Sequence, residues 1–161
     1  WTCPGTADTT CGTVVWDDER VYASGGFPQS MTIWIDASTG REVWRNDRRC
    51  YEQSMLFHEG HLYAYDSDGI VFCWNGETGD EKWKERLGGP VSCSLVEAGG
   101  VIYGCNESGR TFVFRADPTG YELVSENQLG DEAFATPTFV GNRIYIRVAK
   151  TTDGVRQEWL Y

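Results

Sequence analysis

Two short stretches and a set of thiols are where this chain could do chemistry. His58-Glu59-Gly60-His61 sets two imidazoles around a carboxylate, the composition of a zinc-protease helix, where histidines four residues apart share one face and the glutamate acts as base. Here the spacing is three and a glycine interrupts it, so the segment reads as a tight strand turn with both histidines on its solvent side. Asp66-Ser67-Asp68-Gly69 has two carboxylates before a glycine, as many calcium loops begin. Counted from Asp66, Glu77 stands at position twelve, but the glycine comes two places early, and Asn106-Glu107-Ser108-Gly109 fills the corresponding place forty residues on. A hairpin turn is the expected role. The six cysteines, at 3, 11, 50, 73, 93 and 105, form neither a CxxC nor an adjacent pair, which excludes a zinc knuckle and a thioredoxin-type motif. Buried free thiols acting as small hydrophobes are expected, with Cys3 and Cys11 the pair to test first for a disulfide. No metal-ligating or catalytic residue is assigned.

The elements that must position these residues follow one register. Tyr22, Tyr63, Tyr103 and Tyr145, each closing a short apolar run, stand at intervals of 41, 40 and 42. Glycine turns follow at Gly40, Gly79 and Gly120, and four residues after each comes Trp44, Trp83 or Val124; Trp1 fits the same pattern, 21 residues ahead of Tyr22. A fixed period of this length, filled with short alternating strands, marks propeller blades around an axis. The expected fold is all-β: a β-propeller of four-stranded antiparallel blades, about four of them, at 11–45, 54–84, 93–125 and 135–161, the last without a fourth strand. Thr13-Val14-Val15-Trp16, Arg20-Val21-Tyr22-Ala23, Thr32-Ile33-Trp34-Ile35 and Glu42-Val43-Trp44 give the first blade its strands, each rich in β-branched and aromatic residues. Their near-continuous apolar character suits sheets covered on both faces by neighbouring blades.

Composition bounds the function. The 161 residues are 40% hydrophobic with seven tryptophans, enough to build a core. The formal net charge is -10, from 24 acidic and 14 basic residues, which opposes contact with a phosphate backbone and excludes nucleic acid as an expected partner. No run approaches the eighteen or so apolar residues of a membrane-spanning helix, so direct membrane insertion is not expected. The chain begins at Trp1 with neither a methionine nor a targeting segment, and is expected to be a piece of something longer.

Trp34-Ile35-Asp36-Ala37-Ser38-Thr39-Gly40-Arg41-Glu42-Val43-Trp44 resembles the tryptophan-docking repeat of the quinoprotein, or PQQ-like, β-propellers. Asn75, Thr78, Gly79 and Trp83 repeat it; the third blade keeps only Thr119 and Gly120, with Ala116 and Val124 in place of the aspartate and tryptophan, so its docking contact is expected to be weaker. The motif has a physical sense: glycine takes a positive φ, Asp or Asn bonds back to the turn amides, and the indole lies against the next blade. Structural docking is thus assigned to Trp1, Thr39, Gly40, Trp44, Thr78, Gly79, Trp83, Thr119 and Gly120. The resemblance implies a ring of seven or eight blades, completed by remaining blades or a second copy, and an exported, periplasmic bacterial location. Some members of the family bind pyrroloquinoline quinone as alcohol or sugar dehydrogenases, some assist outer-membrane protein insertion without a cofactor, and some are sensor domains of bacterial serine/threonine kinases. The vicinal cysteines that cover the quinone in many dehydrogenases are absent here, and no calcium-ligand set can be assigned, so no cofactor is expected.

Propellers recognise partners through loops that share one rim. On that rim lie Gly25 to Ser30, with Phe27 and Gln29; the connection Arg45-Asn46-Asp47-Arg48-Arg49-Cys50-Tyr51-Glu52; and Arg86. Arginine beside aromatics is a common composition for interface anchors, against the plainer alternative of a solvated loop with local ion pairs. Phe27, Gln29, Arg48, Arg49, Tyr51 and Arg86 are therefore the partner-binding candidates of a non-catalytic module for protein or peptide.

Overall fold

The computed structural model describes residues 1–161, with sixteen strands and no helix. β1 (Val15–Trp16), β2 (Arg20–Gly25), β3 (Met31–Asp36) and β4 (Glu42–Asn46) pair in that order as one antiparallel sheet. β5 (Leu56–His58), β6 (His61–Tyr65), β7 (Ile70–Asn75) and β8 (Glu81–Arg86) form a second sheet, and β9 (Val96–Ala98), β10 (Val101–Cys105), β11 (Arg110–Arg115) and β12 (Leu123–Gln128) a third. In the fourth unit β13 (Thr138–Val140) pairs with β14 (Arg143–Tyr145), and β15 (Arg147–Thr152) with β16 (Val155–Leu160). Ile146 and Tyr161 exchange backbone hydrogen bonds at 3.1 and 3.0 Å. β14 and β15 are therefore one strand in two segments, flanked by β13 and β16. The molecule is a four-blade β-propeller sector.

The register tyrosines lie where blades meet. Tyr22 is fully buried against Phe57 of the next blade, ring centroids 5.3 Å apart, and its hydroxyl donates to the Gly76 carbonyl at 2.9 Å. Tyr103 packs on Phe139 of the next blade at 4.8 Å, with the rings tilted by 58°. One buried cluster joins Tyr22, Leu62, Phe72 and Trp74, and a larger one runs from Tyr63 and Cys73 through Ile102 and Phe114 to Ile146 and Val148. Apolar area removed from water, at roughly 25 cal/mol per Å², is what holds successive sheets face to face.

A polar ladder runs beside this core. The amide of Thr13 donates to Ser54 Oγ at 2.9 Å, that of Ser54 to Ser94 Oγ at 2.9 Å, and that of Ser94 to Thr136 Oγ1 at 3.0 Å. These four residues each precede a register tyrosine by nine positions. Each blade thus gives an amide to a hydroxyl of the next, at the approach to its first strand, and satisfies a backbone donor that strand pairing leaves free.

Candidate binding rim

The tryptophan contacts set the angle between blades and so the spacing of the rim loops. Trp1 Nε1 donates to Ala37 O at 2.8 Å, Trp44 Nε1 to Gly76 O at 3.2 Å, and Trp83 Nε1 to Asp117 O at 2.8 Å. Gly40 and Gly79 have φ of 71° and 76° and lie against the Trp1 and Trp44 rings. The turns are closed by Asx bonds: Asp36 Oδ1 accepts from Ser38 Oγ and the amides of Ser38 and Thr39, and Asn75 Oδ1 from the amides of Glu77 and Thr78. These bonds hold the Asp36 carboxyl at about 2, the Ser38 hydroxyl contributing most.

The third turn departs from the sequence expectation. Its strand pair skips Val124, so that Ser125 stands opposite Val113 as Trp44 stands opposite Trp34 and Trp83 opposite Cys73. Asp117, not Ala116, accepts from Thr119, through both its amide and its hydroxyl at 2.7 Å. The motif is displaced by one residue. Tyr121 consequently takes the place of the turn glycine, four residues after Asp117, while Gly120 has no atom within 4 Å of a built Cβ. Trp83 packs edge-on against Tyr121 at 5.8 Å and retains a 2.8 Å bond to blade three. Trp83 thus docks on the third turn as Trp44 does on the second, while the tryptophan position of blade three itself is held by Ser125 and carries no indole, and Val124 is a half-exposed bulge residue.

On the opposite rim, blade one offers a rigid frame. Ser24, Thr32 and Gln53 are buried polar side chains, and each grips the connection from β4 to β5. Thr32 Oγ1 donates to Arg48 O at 3.0 Å, Ser24 Oγ accepts from the Cys50 amide at 2.7 Å, and Gln53 Oε1 accepts from the Tyr51 amide at 3.1 Å. The far end of Gln53 bonds Val91 O of the following connection. Buried polar groups satisfied in this way fix one conformation.

On this frame Arg49 Nη1 donates to Gly26 O at 2.8 Å, and Gly26, Phe27, Arg49 and Tyr51 line an open groove of about 220 Å³. Gly26 is required there: a Cβ would lie 2.2 Å from Tyr51 Cδ2. Phe27 is 61% exposed at the groove, and Gln29 is exposed beside it in the loop. The other two arginines go elsewhere. Arg48 lies next to Asp47 at 3.5 Å with its guanidinium 5.3 Å from the Phe72 ring centroid, and Arg86 donates to Asp68 O at 3.1 Å.

The two motifs whose residue types could ligate a metal are built as turns. Asp66 Oδ1 accepts from the amides of Asp68 and Ile70, and Asn106 Oδ1 accepts from Ser108 Oγ and the Arg110 amide. Burial raises the Asp66 pKa while these bonds lower it. His58 and His61 stand opposite each other across the β5–β6 hairpin. Against expectation both are half-buried, and His58 Nδ1 faces Glu97 of the next blade at 3.9 Å. His58, on the first strand of its blade, points at the neighbouring sheet rather than at water. Nowhere do three His, Cys, Asp or Glu side chains converge as a metal cage would require.

No protein-family model matches the chain. A search of curated proteins finds outer membrane protein assembly factor BamB of Legionella pneumophila (strain Paris), 27% identical over 115 residues, which cover 70% of this chain and 29% of that protein. Among solved structures, BamB from Moraxella catarrhalis superposes with a TM-score of 0.67 at 19% identity, over 93% of this chain and 43% of that one. The computationally designed Ika4 protein superposes with a TM-score of 0.71 at 16% identity, over 94% of this chain and 91% of its own. This chain thus spans less than half the length of the two assembly factors it matches.

Proposed function

We propose that this four-blade sector of PQQ-like repeats, similar to an outer-membrane protein assembly factor, is a non-catalytic scaffold that holds a protein partner on the rim formed by Phe27, Arg49 and Tyr51. One observation carries the choice of surface. Three buried polar side chains hold the β4–β5 connection in a single conformation while Phe27, beside it, remains 61% exposed. Such a site loses little entropy on binding, because its backbone is already ordered.

Arg49 gives the groove positive charge within a chain of net charge -10, which favours an acidic segment carrying an apolar residue for the Phe27 and Tyr51 rings. Gln29 would contribute a polar contact at the edge, with Arg48 and Arg86 supplying longer-range attraction. Work on outer-membrane proteins entails an exported, periplasmic location. The reading also has the sector complete its ring with further blades or a second copy.

The test is capture of partners from a bacterial envelope extract by the tagged protein. Phe27→Ala with Arg49→Glu should lose at least one envelope protein that the unaltered protein retains, whereas Glu77→Lys on the opposite rim should retain it. Loss with Glu77→Lys alone would refute the chosen surface. Dye-linked alcohol or sugar oxidation on addition of pyrroloquinoline quinone and calcium would refute the non-catalytic reading.

A further inference from the structure

We propose that the two open edges of the sector fit each other, so that two copies of this chain close an eight-blade ring. The inference deepens the ring-completion part of the proposed function and rests on two features, a hydrogen-bond rung found at all three internal blade junctions and an aromatic pair found at two of them.

The first is the hydroxyl ladder. Its three internal rungs run from the amide at one register position to the hydroxyl forty or so residues later, ending at Thr136. At the two ends the ladder is open in complementary senses. Thr13 Oγ1 accepts no hydrogen bond, and the Thr136 amide donates to nothing within the sector. A second copy would supply what each lacks: Thr136 N–H of one to Thr13 Oγ1 of the other.

The second is aromatic. Three residues after a ladder hydroxyl stand Phe57 and Phe139, which pack on Tyr22 and Tyr103 of the blade before. The same offset from Thr13 gives Trp16, 71% exposed and in contact with no aromatic ring of the sector. On the other open face Tyr145 is the register tyrosine of the fourth unit, half-buried and in contact with no aromatic ring of the sector. Trp16 of one copy on Tyr145 of the other repeats the internal junction with residues that already match in kind. Val14 at the first open face and Phe134 at the second are also exposed and would be covered at the same junction. Exposed large apolar groups clustered on a sheet edge mark an interface.

Two such junctions related by a two-fold axis leave no edge open. The solved relatives agree in length: the sector corresponds to 43% of the Moraxella chain, and a designed chain of nearly the same length shares its fold.

The 161-residue chain should sediment at twice its 18.1 kDa mass in a concentration series. Thr13→Val and Trp16→Ser alter side chains with no hydrogen-bond or aromatic partner inside the sector, so the dilute protein should keep its unfolding midpoint. The double variant should weaken dimerisation by at least about a hundredfold, from two lost hydrogen bonds and two lost aromatic contacts per ring. A chain that stays monomeric at all concentrations, assembles to a stoichiometry other than two, or dimerises equally well with both substitutions overturns the proposal. These edge substitutions leave the Phe27 groove intact, so envelope-partner capture reports on the binding rim separately from ring closure.

Discussion

Trp44 and Gly79 are in such close contact that a Cβ on Gly79 would lie 2.8 Å from the indole Cδ2. The glycine belongs to the turn of the next blade, and its φ of 76° is one that side chains disfavour. Gly79→Ala therefore meets two penalties, backbone strain and displacement of the indole from the Gly76 carbonyl, and should destabilise the protein by about 2–3 kcal/mol in urea unfolding. Gly60→Ala separates them. Gly60 has a similar φ of 78° with nothing within 4 Å, and its substitution should cost only about 1 kcal/mol.

The hydroxyl ladder gives a second stability prediction. Ser94→Ala leaves the part-buried Ser54 amide without its acceptor and should lower stability by about 1 kcal/mol. Ser94→Thr should restore it, because Thr136 performs the same task one blade later. Equal losses in both variants would point to packing instead.

Acid should act on the first docking turn before it acts on the second. The Asp36 carboxyl is held at about 2, below the ordinary value of 3.8, so between those values the unfolded chain binds the proton more readily than the folded one. Its stabilising contribution is complete above about pH 4 and fades as pH falls toward 2. Asp36→Asn copies Asn75, whose amide oxygen makes the same turn bonds without titrating. The variant should lose less stability than the unaltered protein between pH 5 and about 2.5, measured as the shift in urea midpoint.

Thiol labelling tests the burial of the blades. Cys50, Cys73, Cys93 and Cys105 are fully enclosed, whereas Cys11 is exposed and Cys3 partly so. Burial pushes the Cys50 thiol up to about 12 and the Cys73 thiol up to about 11, far from the thiolate form that reacts. At about pH 8 the native protein should take up two equivalents of a maleimide by intact mass. Denaturant should raise this to six. Rapid native labelling of more than two would mean that the blades open.

The tyrosine register, the blade pattern and the first two docking turns could be read from sequence because each combines a fixed period with a residue type that has few other uses. The ladder is equally periodic but has no distinctive residue type: Thr13, Ser54, Ser94 and Thr136 sit in approaches to strands, where small hydroxyl residues pass for loop. In blade three Thr119-Gly120 fits the motif one position away from its working residues, because the backbone places Asp117, Tyr121 and Ser125 there. Arg48 and Arg49 are adjacent in sequence, yet neighbouring residues on an extended chain point opposite ways, and only Arg49 reaches the groove. That divergence depends on Thr32, Ser24 and Gln53 holding the loop from beneath, contacts between residues up to 26 positions apart.

The claim that the Phe27 rim holds a protein partner is tested most directly by photo-crosslinking in living cells, with a benzophenone amino acid at position 27 or, on the other rim, at position 77. The account predicts a discrete protein adduct from position 27, abolished by Arg49→Glu, and none from position 77. Adducts from position 77 alone would contradict it.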